Sequence, residues 1–298
     1  MKVSGAERQE ALRQALERSG AERREAKGTG EVWRYDLEGA GVTLWRTGTV
    51  RVHGKGEHLD VVQRLVGEFA VTEEAKLPVD LPRDAPWCGA DESGKGDYFG
   101  PLVSAAVIVT PDAAAELAAV GVQDSKKLSE PRVRKLAPQI RRLTTSRKTV
   151  VAPPRYNALY AQFHREGKRL NQLLAWAHVR SIAEVVEVGP VPAYAIVDQF
   201  ADARVVERAA QTKARDLRIV QFPRAEADVA VAAASILARE AFLDWLARAS
   251  ERVGFVLPKG ASPQVVEAAR RIVAEGGEER LASVAKLHFA TTERVLRG

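Results

Sequence analysis

Two adjacent carboxylates, Asp91 and Glu92, stand just ahead of a glycine-lysine-glycine turn in the segment CGADESGKGDYFG, residues 88–100. Burying two unpaired acids side by side is costly, so the arrangements open to them are a shared proton, a basic partner or a divalent cation. Further acids occupy comparable places. Asp198 ends the apolar run AYAIVD, and Glu226 and Asp228 follow RIVQF just before a helix of small residues. Acids at strand ends are where an open α/β sheet places its ligands. An all-oxygen set of this kind suits magnesium or manganese, two of which could clamp the attacking and leaving oxygens of a phosphodiester. Taken singly, each acid reads as readily as a helix cap or a surface charge.

The same segment nearly fits three other motifs. GADESGKG matches the spacing of a nucleotide-binding P-loop, which makes a nucleotide-dependent phosphotransferase one alternative. The residue after Lys95, however, is Gly96 rather than a magnesium-binding hydroxyl, and PLVSAAVIV beyond it reads as a strand where a P-loop opens a helix. Gly94, Gly96 and Gly100 miss the dinucleotide fingerprint for the same lack of a helix. A hydrolase elbow around Ser93 would need glycines where Asp91 and Lys95 stand. Cys88 lacks a nearby base in the chain and reads as a buried apolar residue. On a regular strand, neighbours point to opposite faces, so Asp91 and Glu92 are expected to share a site through an end or bend between them, with the following glycines permitting it.

The elements that must position these residues fall into two groups. Residues 1–70 read as a small α+β unit: Leu12 and Leu16 lie at helical spacing, 32–37 and 42–52 alternate as strands around a turn at Arg46–Thr49, and Leu59, Val62, Leu65, Val66 and Phe69 share one helical face. The proline- and acid-rich stretch 71–86 has no sustained period and reads as a linker. From residue 87 to 298, apolar strands at 102–110, 149–152, 194–197 and 218–222 alternate with helices at 113–120, 129–143, 155–163, 170–188 and 229–249. That alternation predicts an α/β sheet covered by helices. Pro138 predicts a kink or break in the helix over 129–143, and two closing helices are expected at 263–275 and 281–296, separated by Gly276-Gly277.

The chain has 298 residues, a formal charge of +6 and one cysteine. A disulfide within the chain and a thiolate zinc cluster are thereby excluded, and a cytoplasmic protein is expected. No apolar run approaches the ~20 residues of a membrane span. The modest basic excess fits a polyanionic partner as well as a solvated surface.

The blocks DESGKGDYFGPL (91–102), DSKKL (124–128), IVD (196–198), AVAAASILAR (230–239), LPKGAS (257–262) and AKLHFAT (285–291) resemble, in order, those of the type 2 ribonucleases H. Lys95 between the two glycines, where the HII branch carries arginine, and an N-terminal unit similar to a TATA-box-binding-protein-like extension point to the HIII branch. The resemblance implies a ribonuclease H-like five-stranded mixed sheet flanked by helices. It also implies an endoribonuclease that uses Mg2+ or Mn2+ to cut the RNA strand of RNA/DNA hybrids, leaving 5'-phosphate and 3'-hydroxyl ends. A non-catalytic hybrid-binding protein is the alternative within that resemblance, and neither a membrane nor an obligate protein partner is implied. By the same matching, Asp91, Glu92, Asp198 and Glu226 are the catalytic and metal-site acids, with Asp228 as the rival for the fourth place. Gly94, Lys95 and Gly96 approach the ribose edge, where only glycine lets backbone come near a 2'-hydroxyl. Ser125, Lys126, Lys127, Ser235 and Lys259 are the expected backbone-phosphate contacts. His288 takes a structural or substrate-side role, Tyr98 and Phe99 pack in the core, and Arg46, Arg51, His53 and Lys55 offer backbone contacts from the N-terminal unit.

Overall fold

The computed structural model describes residues 3, 5–25, 28–54, 57–69, 81–199, 204–207, 210 and 217–297. The chain divides into two compact units, Met1–Lys76 and Leu77–Gly298. Residues 71–80 of the expected linker, and Lys55, lie outside the described residues.

The first unit is an antiparallel sheet in the order β1 (Glu22–Arg24), β2 (Glu31–Leu37), β3 (Ala40–Trp45) and β4 (Val50–Gly54), with helices α1 (Ala6–Arg18) and α2 (Glu57–Phe69). The period of two in β2 buries Trp33, Tyr35 and Leu37, which share a core with Leu12 and Leu16 of α1 and Val62 and Val66 of α2. The turn at residues 46–49 forms where expected, with Gly48 at a φ of 76° and its N–H donating to the Trp45 carbonyl at 2.8 Å.

In the second unit, β5 (Trp87–Ser93), β6 (Leu102–Val109), β7 (Thr145–Val151), β8 (Ala195–Asp198) and β9 (Ile219–Phe222) form one mixed sheet in the order β7-β6-β5-β8-β9. The β5, β6 and β7 ladders are antiparallel, whereas β8 runs parallel to both β5 and β9. β6 is buried along its whole length, as a central strand covered on both faces must be. Helices α3 (Pro111–Ala119), α4 (Glu130–Leu143), α5 (Pro153–Arg165), α6 (Leu170–Val186), α7 (Val229–Val253), α8 (Pro263–Ala282) and α9 (Ala290–Leu296) complete it.

One face of the sheet packs on α7, whose alanines at 230, 232, 233, 234, 238 and 241 bring its backbone close. Gly89 permits that approach: a Cβ there would stand 2.3 Å from the backbone nitrogen of Val231. The other face packs on α6 through Cys88, Ala90, Ala106, Ile108, Ile182 and Val185.

Three local expectations are corrected. α4 runs as one helix through Pro138, the flanking Val133, Leu136, Ala137 and Ile140 being buried against the core. The closing helices are separated at Gly276 and Gly277 as expected, where the backbone of α8 is non-helical, but the helical stretch beyond stops at Ala282 and the chain is then non-helical until α9, because Ala285 bridges Phe99 in extended form. Residues 81–86, read as the end of the linker, pack on the second unit, with Leu81 in its core and the Pro82 carbonyl accepting from the Tyr194 hydroxyl at 2.9 Å.

Candidate active site

β5 does not end or bend between its two acids. The ladder continues in register through Asp91 opposite Ala105, Glu92 opposite Ser104 and Ser93 opposite Val103. Asp91 therefore faces α7, as Gly89 does, while Glu92 faces α6, as Cys88 and Ala90 do. The turn comes after Ser93, at Gly94, whose φ is 85°. A side chain there would put Cβ 2.1 Å from the Pro101 carbonyl oxygen, so glycine is required on both counts. Asp91 and Glu92 meet because both line one cleft beyond the strand end, not because they share a face.

Asp198 joins them through the sheet. β8 lies parallel to β5 with Val197 opposite Ala90, so Asp198 and Asp91 follow on adjacent strands. Ile196 belongs to the α7-side core, which places Asp198 two residues on at the same face as Asp91. Its Oδ1 accepts the Ala225 N–H at 3.2 Å.

The cleft has a volume of about 580 Å³ and is lined by Asp91, Glu92, Asp198, the turn 93–97, Ser125, Lys126, Arg239, Phe242, Leu243 and Lys259. Its two adjacent acids are pushed apart in acidity. Burial, then the neighbouring Glu92 charge, holds the Asp91 carboxyl well above the usual carboxylate range, and Asp198 adds to the rise. Burial pushes Glu92 in the same direction, but the hydrogen bond and charge of His178, followed by Lys95 and Lys126, bring it down to about 2. The Lys126 ammonium is pushed down by burial and raised, on balance, by Asp91, Asp124, Glu226 and Asp198. One lysine thus answers the charge of three candidate site acids at once.

The rivals for the fourth place are separated by the structure. Asp228 is buried and fully engaged: Oδ1 accepts from Ala230 N at 2.8 Å, Val231 N at 3.4 Å and Trp87 Nε1 at 3.1 Å, and Oδ2 pairs with Arg83 Nη1 at 2.6 Å. It is the cap of α7. Glu226 sits half-buried in a 3-10 turn, Ala225–Ala227, after β9 and within electrostatic reach of Lys126.

Among the expected phosphate contacts, Lys95, Lys126, Ser125 and Lys259 line the cleft, with Lys95 Nζ 3.6 Å from Glu92 and Lys259 paired to Glu130. Ser235 does not line it. Its hydroxyl donates to the Ala232 carbonyl at 2.8 Å and accepts the Ser125 N–H at 3.1 Å, so it braces the loop that carries Ser125 and Lys126. Tyr98 and Phe99 are wholly buried. His288 is half-buried against Tyr156, Tyr160 and Phe289, far from any carboxylate role. Burial pushes the Cys88 thiol up to about 12, which removes it as a nucleophile.

Two cleft-side residues escaped the sequence reading. His178 reaches Glu92 Oε2 through Nε2 at 2.9 Å. Its only signal in the chain is that a polar residue stands on the apolar face of α6, between Leu174 and Ile182. Arg239 lines the cleft and donates from Nη1 to the carbonyls of Ser125 and Leu128, holding the lysine loop from the α7 side.

The sequence pattern of the ribonuclease HII family matches residues 88–292, which contain every one of these cleft residues. The chain belongs to that family, on its HIII branch. It is 40% identical over 259 residues to ribonuclease HIII of Protochlamydia amoebophila, a match covering 87% of this chain and 84% of that one. Among solved structures it is similar to Bst-RNase HIII in complex with Mn2+, with a TM-score of 0.66 and 32% identity over 99% of this chain and 96% of that one. It is also similar to Aquifex aeolicus RNase H3, with a TM-score of 0.55 and 25% identity over 96% of this chain and 98% of that one. Membership makes the chain a ribonuclease H, a metal-binding hydrolase of phosphodiester bonds. No described helix is long and apolar enough to cross a membrane.

The donor set fits a hard divalent cation. Among the described residues, no three His, Cys, Asp or Glu side chains already form a closed coordinating group. Mg2+ needs only one or two carboxylates, with water and substrate phosphate completing its shell, and Asp91 and Asp198 on adjacent strands could supply them. The raised Asp91 carboxyl, crowded by Glu92 and Asp198, is the imbalance such a cation would relieve.

Proposed function

We propose that this chain cuts the RNA strand of RNA/DNA hybrids internally, by hydrolysis that leaves 5'-phosphate and 3'-hydroxyl ends. The supporting observation is the cleft in which Asp91, Glu92 and Asp198 converge below Lys95, Lys126 and Lys259. Asp91 and Asp198, with Glu92 and the nearby Glu226, would hold Mg2+ or Mn2+. When bound, such an ion supplies charge neutralisation at the scissile phosphate and a more acidic water.

The chain's own residues do the rest. Asp91 would carry its charge where a bound cation offset burial and the neighbouring acids. Glu92 is ionised before substrate arrives. Lys95 and Lys259, each half exposed at the cleft, meet the phosphates flanking the cut, and Lys126 offsets the acids from within. Gly96, which has no neighbour within 4 Å of where a Cβ would stand, leaves the turn open to the ribose edge. The first unit grips the hybrid's sugar-phosphate backbone through the exposed side chains of Arg46, Arg51 and His53, with Arg51 stacked 5.7 Å from the Trp45 ring. The chain would act in the cytoplasm, where its single buried cysteine needs no disulfide partner.

The test incubates end-labelled RNA/DNA, RNA/RNA and DNA/DNA duplexes with the protein in Mg2+, Mn2+ or EDTA. Metal-dependent cutting confined to the RNA of the hybrid is expected. Hybrid binding without cutting would instead favour a non-catalytic binder.

A further inference from the structure

The regular course of β5 creates a problem that His178 answers. Glu92 projects toward α6, away from the face that carries Asp91 and Asp198, and must be turned to the strand end to join them. Behind it, three buried polar side chains stand together on an otherwise apolar interface: His178, Ser104 and Ser181, the first 1% exposed and the serines fully buried. His178 Nε2 lies 2.9 Å from Glu92 Oε2, Nδ1 lies 3.4 Å from Ser104 Oγ, Ser104 Oγ lies 2.9 Å from Ser181 Oγ, and Ser181 Oγ donates to the His178 carbonyl at 3.0 Å. A carboxylate only accepts, so Nε2 carries a proton toward Glu92.

We propose that His178 is the positioning residue of Glu92. It holds the carboxylate in one rotamer at the mouth of the cleft, anchored in turn by Ser104 and Ser181, and thereby sets the affinity of the site for its divalent cation. Oε2 is fixed by the imidazole, which leaves Oε1, 3.6 Å from Lys95 Nζ, as the oxygen presented to the cleft. A serine pair buried behind a histidine has no packing advantage over apolar residues of like size. Its use is orientation, because a ring hydrogen-bonded at both nitrogens cannot rotate. The inference rests on the proposed metal role of Asp91 and Glu92.

The test measures Mn2+ binding to the intact, substrate-free protein by titration calorimetry, together with kcat and KM on a hybrid. His178→Gln can place its amide nitrogen near the Nε2 position and keep the bond to Glu92, whereas the shorter His178→Asn cannot. His178→Gln is expected to bind Mn2+ within a few-fold of the parent, and His178→Asn about 10–100-fold more weakly, with kcat falling and KM for the hybrid little changed. Asn and Gln variants with equal Mn2+ affinity would overturn the proposal, whatever their melting temperatures. If the parent binds no Mn2+, or Asp91→Asn binds it as the parent does, the metal-site reading itself fails and takes the positioning role with it.

Discussion

Replacing Asp228 by alanine should damage the fold more than the chemistry, and replacing Glu226 by glutamine should do the reverse. Asp228 is 1% exposed and receives four donors from three parts of the chain. Its removal uncaps α7, which costs about 1 kcal/mol, and leaves the Trp87 indole N–H buried without an acceptor, which costs roughly 1–3 kcal/mol more. The Arg83 pair is discounted, because the arginine side chain is 37% exposed and solvent screens its charge. The sum is on the order of 3 kcal/mol, which for a unit of this size lowers the melting temperature by about 6–12 °C. Among the described residues Glu226 makes no comparable set of bonds in its half-buried turn, so Glu226→Gln should melt within about 1–2 °C of the parent, the range of a surface substitution. Thermal unfolding followed by circular dichroism reads the first quantity, and metal-dependent cutting of a labelled hybrid at 20 °C below each melting temperature reads the second. A folded Asp228→Ala protein that melts like the parent yet cannot cut, beside a fully active Glu226→Gln, would refute the assignment.

Asp91→Asn should abolish cutting while raising the melting temperature of the metal-free protein, since it removes the most crowded buried carboxyl; a lower melting temperature would contradict the crowding. Saturating Mn2+ should stabilise the parent, by about 2.7 kcal/mol at a hundred times its dissociation constant, and leave Asp91→Asn unmoved in the same melting assay. Burial holds the Lys286 ammonium down to about 7, with Nζ donating to the Gly100 carbonyl at 2.6 Å. Between pH 7 and the ordinary lysine range the unfolded chain therefore binds the extra proton, so stability rises with pH there, by up to about 1.4 kcal/mol per unit, and levels off below that window. Urea unfolding at pH 7 and 9 should show this rise in the parent and its loss in Lys286→Met; identical pH dependence would sink the idea. Gly94→Ala should cost at least about 1–2 kcal/mol, read by the same unfolding curves, because it forces a Cβ onto the Pro101 carbonyl at a positive φ.

Much of the fold is legible locally. Period-two burial in β2, the continuous apolar run of β6 and the alanine-rich α7 announce their roles through short-range pattern alone. The misreadings have a common origin in long-range packing. Pro138 suggests a break, yet α4 continues through it, its apolar face buried in the core it covers. Residues 283–289 look helical, yet the segment is drawn into extended pairing with the chain around Phe99, where Lys286 N bonds to the Tyr98 carbonyl at 2.8 Å. Ser235 has the look of a phosphate ligand because it stands in a chemical block, yet its hydroxyl is turned inward to the Ser125 loop.

The chain by itself determined which groups exist to do chemistry: adjacent acids before a turn that only glycine can make, a third acid ending an apolar strand, and lysines in the blocks between. Residue type and near-neighbour spacing carry that much, since strand alternation, glycine conformation and carboxylate chemistry are local properties. Only the tertiary structure decided how those groups are shared out. Glu226 and Asp228 are two residues apart and chemically alike, and what separates them is Arg83, 145 positions away in sequence, and Trp87, 141 away. His178 in the same way becomes part of the site because β5 presents Glu92 to the buried His178 and Ser181 of α6. A carboxylate's role follows from the donors that reach it, and those donors are brought by the sheet order and helix packing, which no short stretch of sequence contains.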